Sequence, residues 1–101
     1  MRQNIYEEKI YYYEQTLRTR KLFRAVILKA IKDAYSNKFK LNKKLKAEAR
    51  SFLRGGADLK VICGLAEVSQ EEIEAIAKNK KLENKEKYYK IKLILRKNII
   101  F

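Results

Sequence analysis

The chain has 101 residues, with 25 Lys and Arg against 12 Asp and Glu and a formal net charge of +13. That is one domain's length, with enough apolar residues for a small core and a self-repelling charge surplus that calls for a polyanionic partner, of which nucleic acid is the commonest. The absence of His removes the usual general base and zinc ligand, the single Cys excludes an intramolecular disulfide, and no run reaches the ~20 apolar residues of a membrane span.

The first segment, residues 1–19, opens with Asn4 as a candidate cap and places Ile5, Tyr6, Ile10, Tyr13 and Leu17 on one helix face. Three adjacent tyrosines, Tyr11, Tyr12 and Tyr13, cannot all face one core. The segment reads as a helix wedged against a partner subunit, its phenol hydroxyls wet; a platform for stacking unpaired bases is the functional alternative. Residues 20–36 give a second helix, with an apolar stripe of Leu22, Phe23, Val26, Ile27, Ala30, Ile31, Ala34 and Tyr35. Arg20, Lys21, Arg24, Lys29 and Lys32 fall off that stripe, and Ser36-Asn37 can end the helix.

A basic connector follows, then a helix whose inward face is Leu45, Ala49, Phe52 and Leu53, with Lys43, Lys44, Lys46, Arg50 and Arg54 around the other sides. Gly55-Gly56 stops it, since Gly takes the left-handed conformation after a last turn cheaply. The pair is no phosphate loop, because the Lys and Ser or Thr of a Walker pattern are missing.

The stretch Asp58 to Lys81 reads as two short helices joined by a corner. Asp58 is a candidate cap for the first, whose inward face is Leu59, Ile62, Cys63 and Ala66; Ser69 with Glu72 forms a capping box for the second, which carries Ile73, Ile76 and Ala77. A small residue at Cys63, an apolar one at Val68, a cap at Ser69 and Ile73 four residues on resemble the layout of helix-turn-helix units. The corner position, where Gly is common, is Glu67, which either bears a modest backbone cost or makes a different turn. From Asp58 to Ala77 the net charge is −4, leaving +17 for the rest of the chain. Beyond Lys81 the chain is basic again. Tyr88, Ile91, Leu95 and Ile99 fit a helix, and an extended arm ordered by a partner is the alternative.

The run LFRAVILKAIKDA, then EARSFLRGG, then DLKVICGLAEVSQEEI resembles a group of small phage and prophage proteins of proteobacteria. Their shared pattern is an Ala-Val-x-x-x-Ala-Ile-x-Asp helix, an Ala-Arg-x-aromatic segment and a Val-Cys-x-x-Ala-Gly-Leu corner. The matching residues here are Ala25, Val26, Ala30, Ile31, Asp33, Ala49, Arg50, Phe52, Ile62, Cys63, Leu65, Ala66 and Val68, with Glu67 in place of the corner Gly. The resemblance spans Leu22 to Ala77 and implies a regulatory, nucleic-acid-associated role.

These readings predict an all-α domain of four or five helices: an N-terminal tyrosine-rich helix (1–19), a helical core (20–81) holding the helix-turn-helix-like unit (58–81), and a basic C-terminal arm (82–101). The expected function is nucleic-acid binding, DNA in preference to RNA, by a cytoplasmic homodimer without cofactor, metal or catalytic site. The rival is a module that docks on a host protein such as RNA polymerase through its acidic helix. Phosphate contacts are expected from Lys43, Lys44, Arg50, Arg54, Lys78, Lys80, Lys81, Lys85, Lys87 and Lys90, and a base-edge contact from Gln70. Cys63, on an apolar face with no base at hand, reads as a buried structural thiol.

Overall fold

The computed structural model describes residues 5–36 and 42–97, with side chains from residue 15 onward. The described residues form five helices and no strand: α1 (Ile5–Tyr35), α2 (Lys43–Leu53), α3 (Leu59–Ala66), α4 (Gln70–Lys78) and α5 (Asn84–Arg96). The expected side-chain roles of Asn4, Tyr11 to Tyr13 and Ile99 lie outside the described residues.

The break expected near residue 19 is absent, and α1 is one helix of 31 residues. No Gly or Pro interrupts the QTLRTRK junction, and its two Thr cost only tenths of a kcal/mol each in helix propensity. At 1.5 Å per residue the helix is about 46 Å long, and it sets the 57 Å long axis of a molecule 24 to 25 Å across. Among the described side chains of α1, from Gln15 onward, the first buried one is Arg24; before it, Gln15, Thr16, Arg18, Lys21 and Leu22 are exposed.

Around the C-terminal half of α1 pack α2, α3 and α5, while α4 bridges α2, α3 and α5. The core is Ile27, Ile31, Ala34 and Tyr35 of α1, Leu53 of α2, Leu59, Cys63 and Ala66 of α3, Ile73 and Ala77 of α4, and Ile91, Ile94 and Leu95 of α5. The basic C-terminal segment is thus helical within this one chain over Asn84–Arg96, and its apolar face closes the core instead of forming an extended arm. Leu22, Val26 and Leu45, expected inside, are exposed. Each sits at the margin of its stripe, where no neighbouring helix covers it.

Two helix ends follow the sequence closely. Arg54 caps α2, Gly55 takes φ 110°, and the amides of Gly55 and Gly56 both donate to Phe52 O, at 3.3 and 3.0 Å. A Cβ on Gly56 would lie 2.9 Å from Phe52 Cα, so the second Gly is needed for close approach. Ser69 caps α4, its Oγ accepting from the Glu72 amide at 3.3 Å. Asp58, by contrast, makes no side-chain cap; it is already helical at φ −90°, ψ −10°, and only its carbonyl is used, by Ile62 N.

The corner at 67–69 turns on Glu67 in the left-handed conformation, φ 55° and ψ 49°. Of the two sequence alternatives the chain adopts the first: a non-Gly residue bears the backbone cost. Arg20 of α1 holds that residue from outside, its Nη2 lying 2.6 Å from Glu67 Oε2. Arg24 holds it from inside. Expected at the surface, Arg24 is 8% exposed. Its Nε donates to Ala66 O at 2.8 Å, Nη1 to Leu95 O and Lys97 O at 3.1 Å each, and Nη2 to Glu67 O at 3.3 Å. Burial, reinforced by the nearby charge of Arg20 and opposed by Glu67, lowers its pKa, but guanidinium stays protonated. One side chain of α1 therefore satisfies the orphan carbonyls at the ends of both α3 and α5.

Candidate functional site

On the helical wheel, Lys43, Lys46, Arg50 and Arg54 recur at intervals of three and four and share one face of α2. Leu53, the buried anchor of α2, lies beside that face and fixes its outward tilt. The four cations, with Ala47, Ser51, Gly55 and Gly56, line an open cleft of about 630 Å³. The side chains of Lys43, Lys46 and Arg54 make no hydrogen bond or ion pair with the described residues, and the cleft lining carries no acid. From Lys43 to Arg54 the row runs about 16 Å along the helix axis.

Arg50 differs from its neighbours. Its Nε donates to Ala34 O at 3.1 Å and so ties down the C-terminus of α1, while its terminal nitrogens have no partner among the described residues. Asn42, capping α2 through its Oδ1 to the amides of Lys44 and Leu45 at 2.7 and 3.2 Å, sets the opposite end of the row.

The expected phosphate contacts scatter. Lys43, Arg50 and Arg54 meet in the cleft, joined by Lys46, which the choice of site residues missed although its spacing to Lys43 and Arg50 was readable. Lys44 is exposed and lies outside the lining. Lys78 is engaged by Glu74 at 3.6 Å. Lys80 and Lys81 are exposed in the turn after α4, and Lys85 and Lys90 on α5. Lys87 is a correction: it is 7% exposed, and its Nζ donates to Ala77 O at 2.9 Å, capping α4 from within. Burial and then the charges of Arg54 and Arg50 lower its pKa. An ammonium held this way is not a surface phosphate contact.

Gln70 is also tied back. Its Nε2 donates to Glu74 Oε1 at 2.7 Å, which leaves its second amide proton and its Oε1 without a partner among the described residues. The exposed surface of α4's first turn is Glu71 and Glu72.

The chain matches no protein-family model, no curated relative and no solved structure.

Among the described residues no group of three or more Cys, Asp or Glu is placed to hold a metal ion, and no helix is long and apolar enough to cross a membrane. Cys63 is 1% exposed and its thiol is pushed up to about 11 by burial, with Glu74 adding to the shift; a thiol in that setting is a packing group. What the surface offers chemically is a row of cations facing a groove whose lining carries no acid.

Proposed function

We propose that this protein binds nucleic acid through its phosphates, with the α2 cleft as the principal contact surface, and acts as a small regulatory protein of phage or bacterial type. The observation that carries the reading is the row Lys43, Lys46, Arg50 and Arg54 along an acid-free cleft. About 16 Å of cations is the length over which one strand of duplex presents about five phosphates. Duplex DNA is favoured over RNA because the sequence of α3 and α4, with a small residue at Cys63, an apolar one at Val68 and a cap at Ser69, resembles the helix-turn-helix layout. The acids on α4 argue for affinity drawn from α2 and the exposed lysines of α5, with little base reading by α4. Two copies suit paired half-sites, and sedimentation at high micromolar concentration tests the dimer.

The direct test is a titration of duplex DNA across salt concentrations. Gln at positions 43, 46 and 54 should weaken binding to every sequence alike and flatten the log–log salt slope by roughly 2 to 3 units. A wild-type protein that binds neither duplex nor single strand at ~50 mM salt sinks the reading.

One observation favours a second reading. α3 exposes Val61 and Leu65, and α4 exposes Glu71 and Glu72. An acidic surface with apolar residues suits a basic protein partner, RNA polymerase or another host machine among them. Lys at positions 71 and 72 separates the two: a docking surface loses its partner and leaves DNA affinity nearly unchanged, while a DNA-facing helix gains non-specific affinity.

A further inference from the structure

Tyr35, at the C-terminus of α1, is 6% exposed, yet its hydroxyl is buried without a hydrogen-bond partner among the described residues. Buried hydroxyls are nearly always paired, and a buried orphan beside charged donors points to something that completes it. Its surroundings are cationic. Arg50 is anchored on Ala34 O, the carbonyl immediately before Tyr35 in the chain. Lys87 Nζ lies 5.8 Å from the centroid of the Tyr35 ring. Burial raises the phenol's pKa, and the charges of Arg54 and Arg50 pull it back, so both guanidinium groups act on this ring. The same two arginines depress Lys87. Arg50 and Lys87 thus flank this phenol, which lies behind the residues that line the cleft, and the charge of Arg54 reaches it. Glu74 at the lip, whose Oε1 comes within 3.1 Å of where a Gly55 Cβ would be, is occupied by Gln70 and Lys78.

We propose that the Arg50–Arg54 end of the α2 cleft is a built site for a single phosphate group, gripped by the two guanidinium groups with the Tyr35 hydroxyl as the donor behind them. The proposal rests on the nucleic-acid reading only for the molecule that carries the phosphate, a backbone phosphodiester. An anion there satisfies the orphan hydroxyl, offsets the mutual repulsion of three cations and uses the open fork of Arg50, which guanidinium matches in geometry. Lys43 and Lys46, at the far end of the row, steer and add charge but grip nothing in particular. Because the hydroxyl has no exposed surface in the free protein, a ligand oxygen reaches it only by local rearrangement, so Tyr35 governs how long the ligand stays and not how fast it arrives.

The experiment compares wild type with Tyr35→Phe, Arg54→Gln and the pair Lys43→Gln/Lys46→Gln. Two readouts are taken: stopped-flow association and dissociation of duplex DNA, and the melting midpoint in inorganic phosphate against chloride of equal ionic strength. Tyr35→Phe should raise the dissociation rate about tenfold, the loss of one hydrogen bond to a charged group, with association rate and salt slope unchanged. Arg54→Gln should also slow association and flatten the slope by about 0.9. Phosphate should raise the wild-type midpoint above that in chloride, and Tyr35→Phe and Arg54→Gln should lose the difference while the lysine pair keeps it. Without ligand, Tyr35→Phe should melt no lower than wild type, since the hydroxyl has no partner to lose; this separates site damage from fold damage. If DNA binds but Tyr35→Phe matches wild type in both assays, the site is refuted and the nucleic-acid reading survives. If DNA does not bind while phosphate still protects wild type and not Tyr35→Phe, the site stands and the nucleic-acid reading falls.

Discussion

The α3–α4 corner and the α2 face are both built around an arginine that reaches a helix C-terminus, and they spend it differently. At the corner, Arg24 is consumed: three guanidinium nitrogens donate to four carbonyls, and nothing is left for a ligand. On α2, Arg50 gives one nitrogen to Ala34 O and keeps its terminal nitrogens at the cleft. The surrounding charge follows the same division. The segment Asp58–Ala77 is net −4 and is met by a cation of α1, Arg24, turned inward, while the α2 face carries its cations toward the cleft. A basic composition is therefore not a measure of basic surface. Arg24 and Lys87 are cations that serve the fold by closing helix ends, and only the remainder is available to a partner.

The largest effect is expected for Arg24→Met. It leaves the carbonyls of Ala66, Glu67, Leu95 and Lys97 without their shared donor, and at about 1–3 kcal/mol per orphaned buried group the loss should exceed 3 kcal/mol in chemical denaturation. An Arg24 that serves binding instead would give a stable protein with weakened DNA affinity.

A second test uses pH. Burial holds the Cys63 thiol up to about 11, whereas an unfolded thiol ionises near 8.5. Between about pH 9 and pH 11 the unfolded state then holds fewer protons than the native state, so stability falls as pH rises, by up to about 1.4 kcal/mol per unit from this group. Cys63→Ala should flatten that decline while costing about 1 kcal/mol at neutral pH for lost packing. Rapid labelling of Cys63 by a thiol reagent in the native protein would contradict its burial.

The smallest effect is expected at Glu67. Gly there relieves a left-handed non-Gly residue but removes the ion pair with Arg20, a contribution of at most about 1 kcal/mol for a half-exposed pair. Glu67→Gly should shift stability by less than about 0.5 kcal/mol in the wild-type background. In an Arg20→Ala background, where only the backbone term remains, it should stabilise by about 1 kcal/mol. A loss in that second background would mean that Glu67 supports the corner by some route other than Arg20.

Helix content, the Gly55-Gly56 stop, the Ser69 cap and the burial of Cys63 were legible because each depends on a residue and its near neighbours in sequence. At Glu67 the same local logic left two turns open, and the structure adopts the left-handed one. Arg24 was not legible. Placed between Phe23 and Ile27 it lies at the edge of an apolar stripe, where a cation ordinarily snorkels to solvent. Only the arrival there of the ends of α3 and α5, 42 and more residues away in sequence, turns it inward. Lys87 was misread for the same reason, since the carbonyl that captures it belongs to another helix. At the candidate site the sequence supplied the basic residues, but the selection among them depended on which faces the core had already claimed. Tyr35 counted as core from its spacing, and nothing in the sequence marks its hydroxyl as unpaired.

The closure of helix ends by side chains from other helices bears on how this protein comes apart. α3 has eight residues and α4 nine, too few to persist alone in water. The last carbonyls of α3 are held by a residue of α1 and those of α4 by a residue of α5. Opening α3 strips Arg24 of its Ala66 and Glu67 acceptors and opening α4 strips Lys87 of Ala77 O, and neither α1 nor α5 can leave without unpinning one of them. Amide hydrogens in α3, α4 and the facing parts of α1 and α5 should therefore exchange with solvent together, at the free energy of global unfolding. The turns of α1 over residues 15–22, where Gln15, Thr16, Arg18, Lys21 and Leu22 are exposed, should exchange long before them.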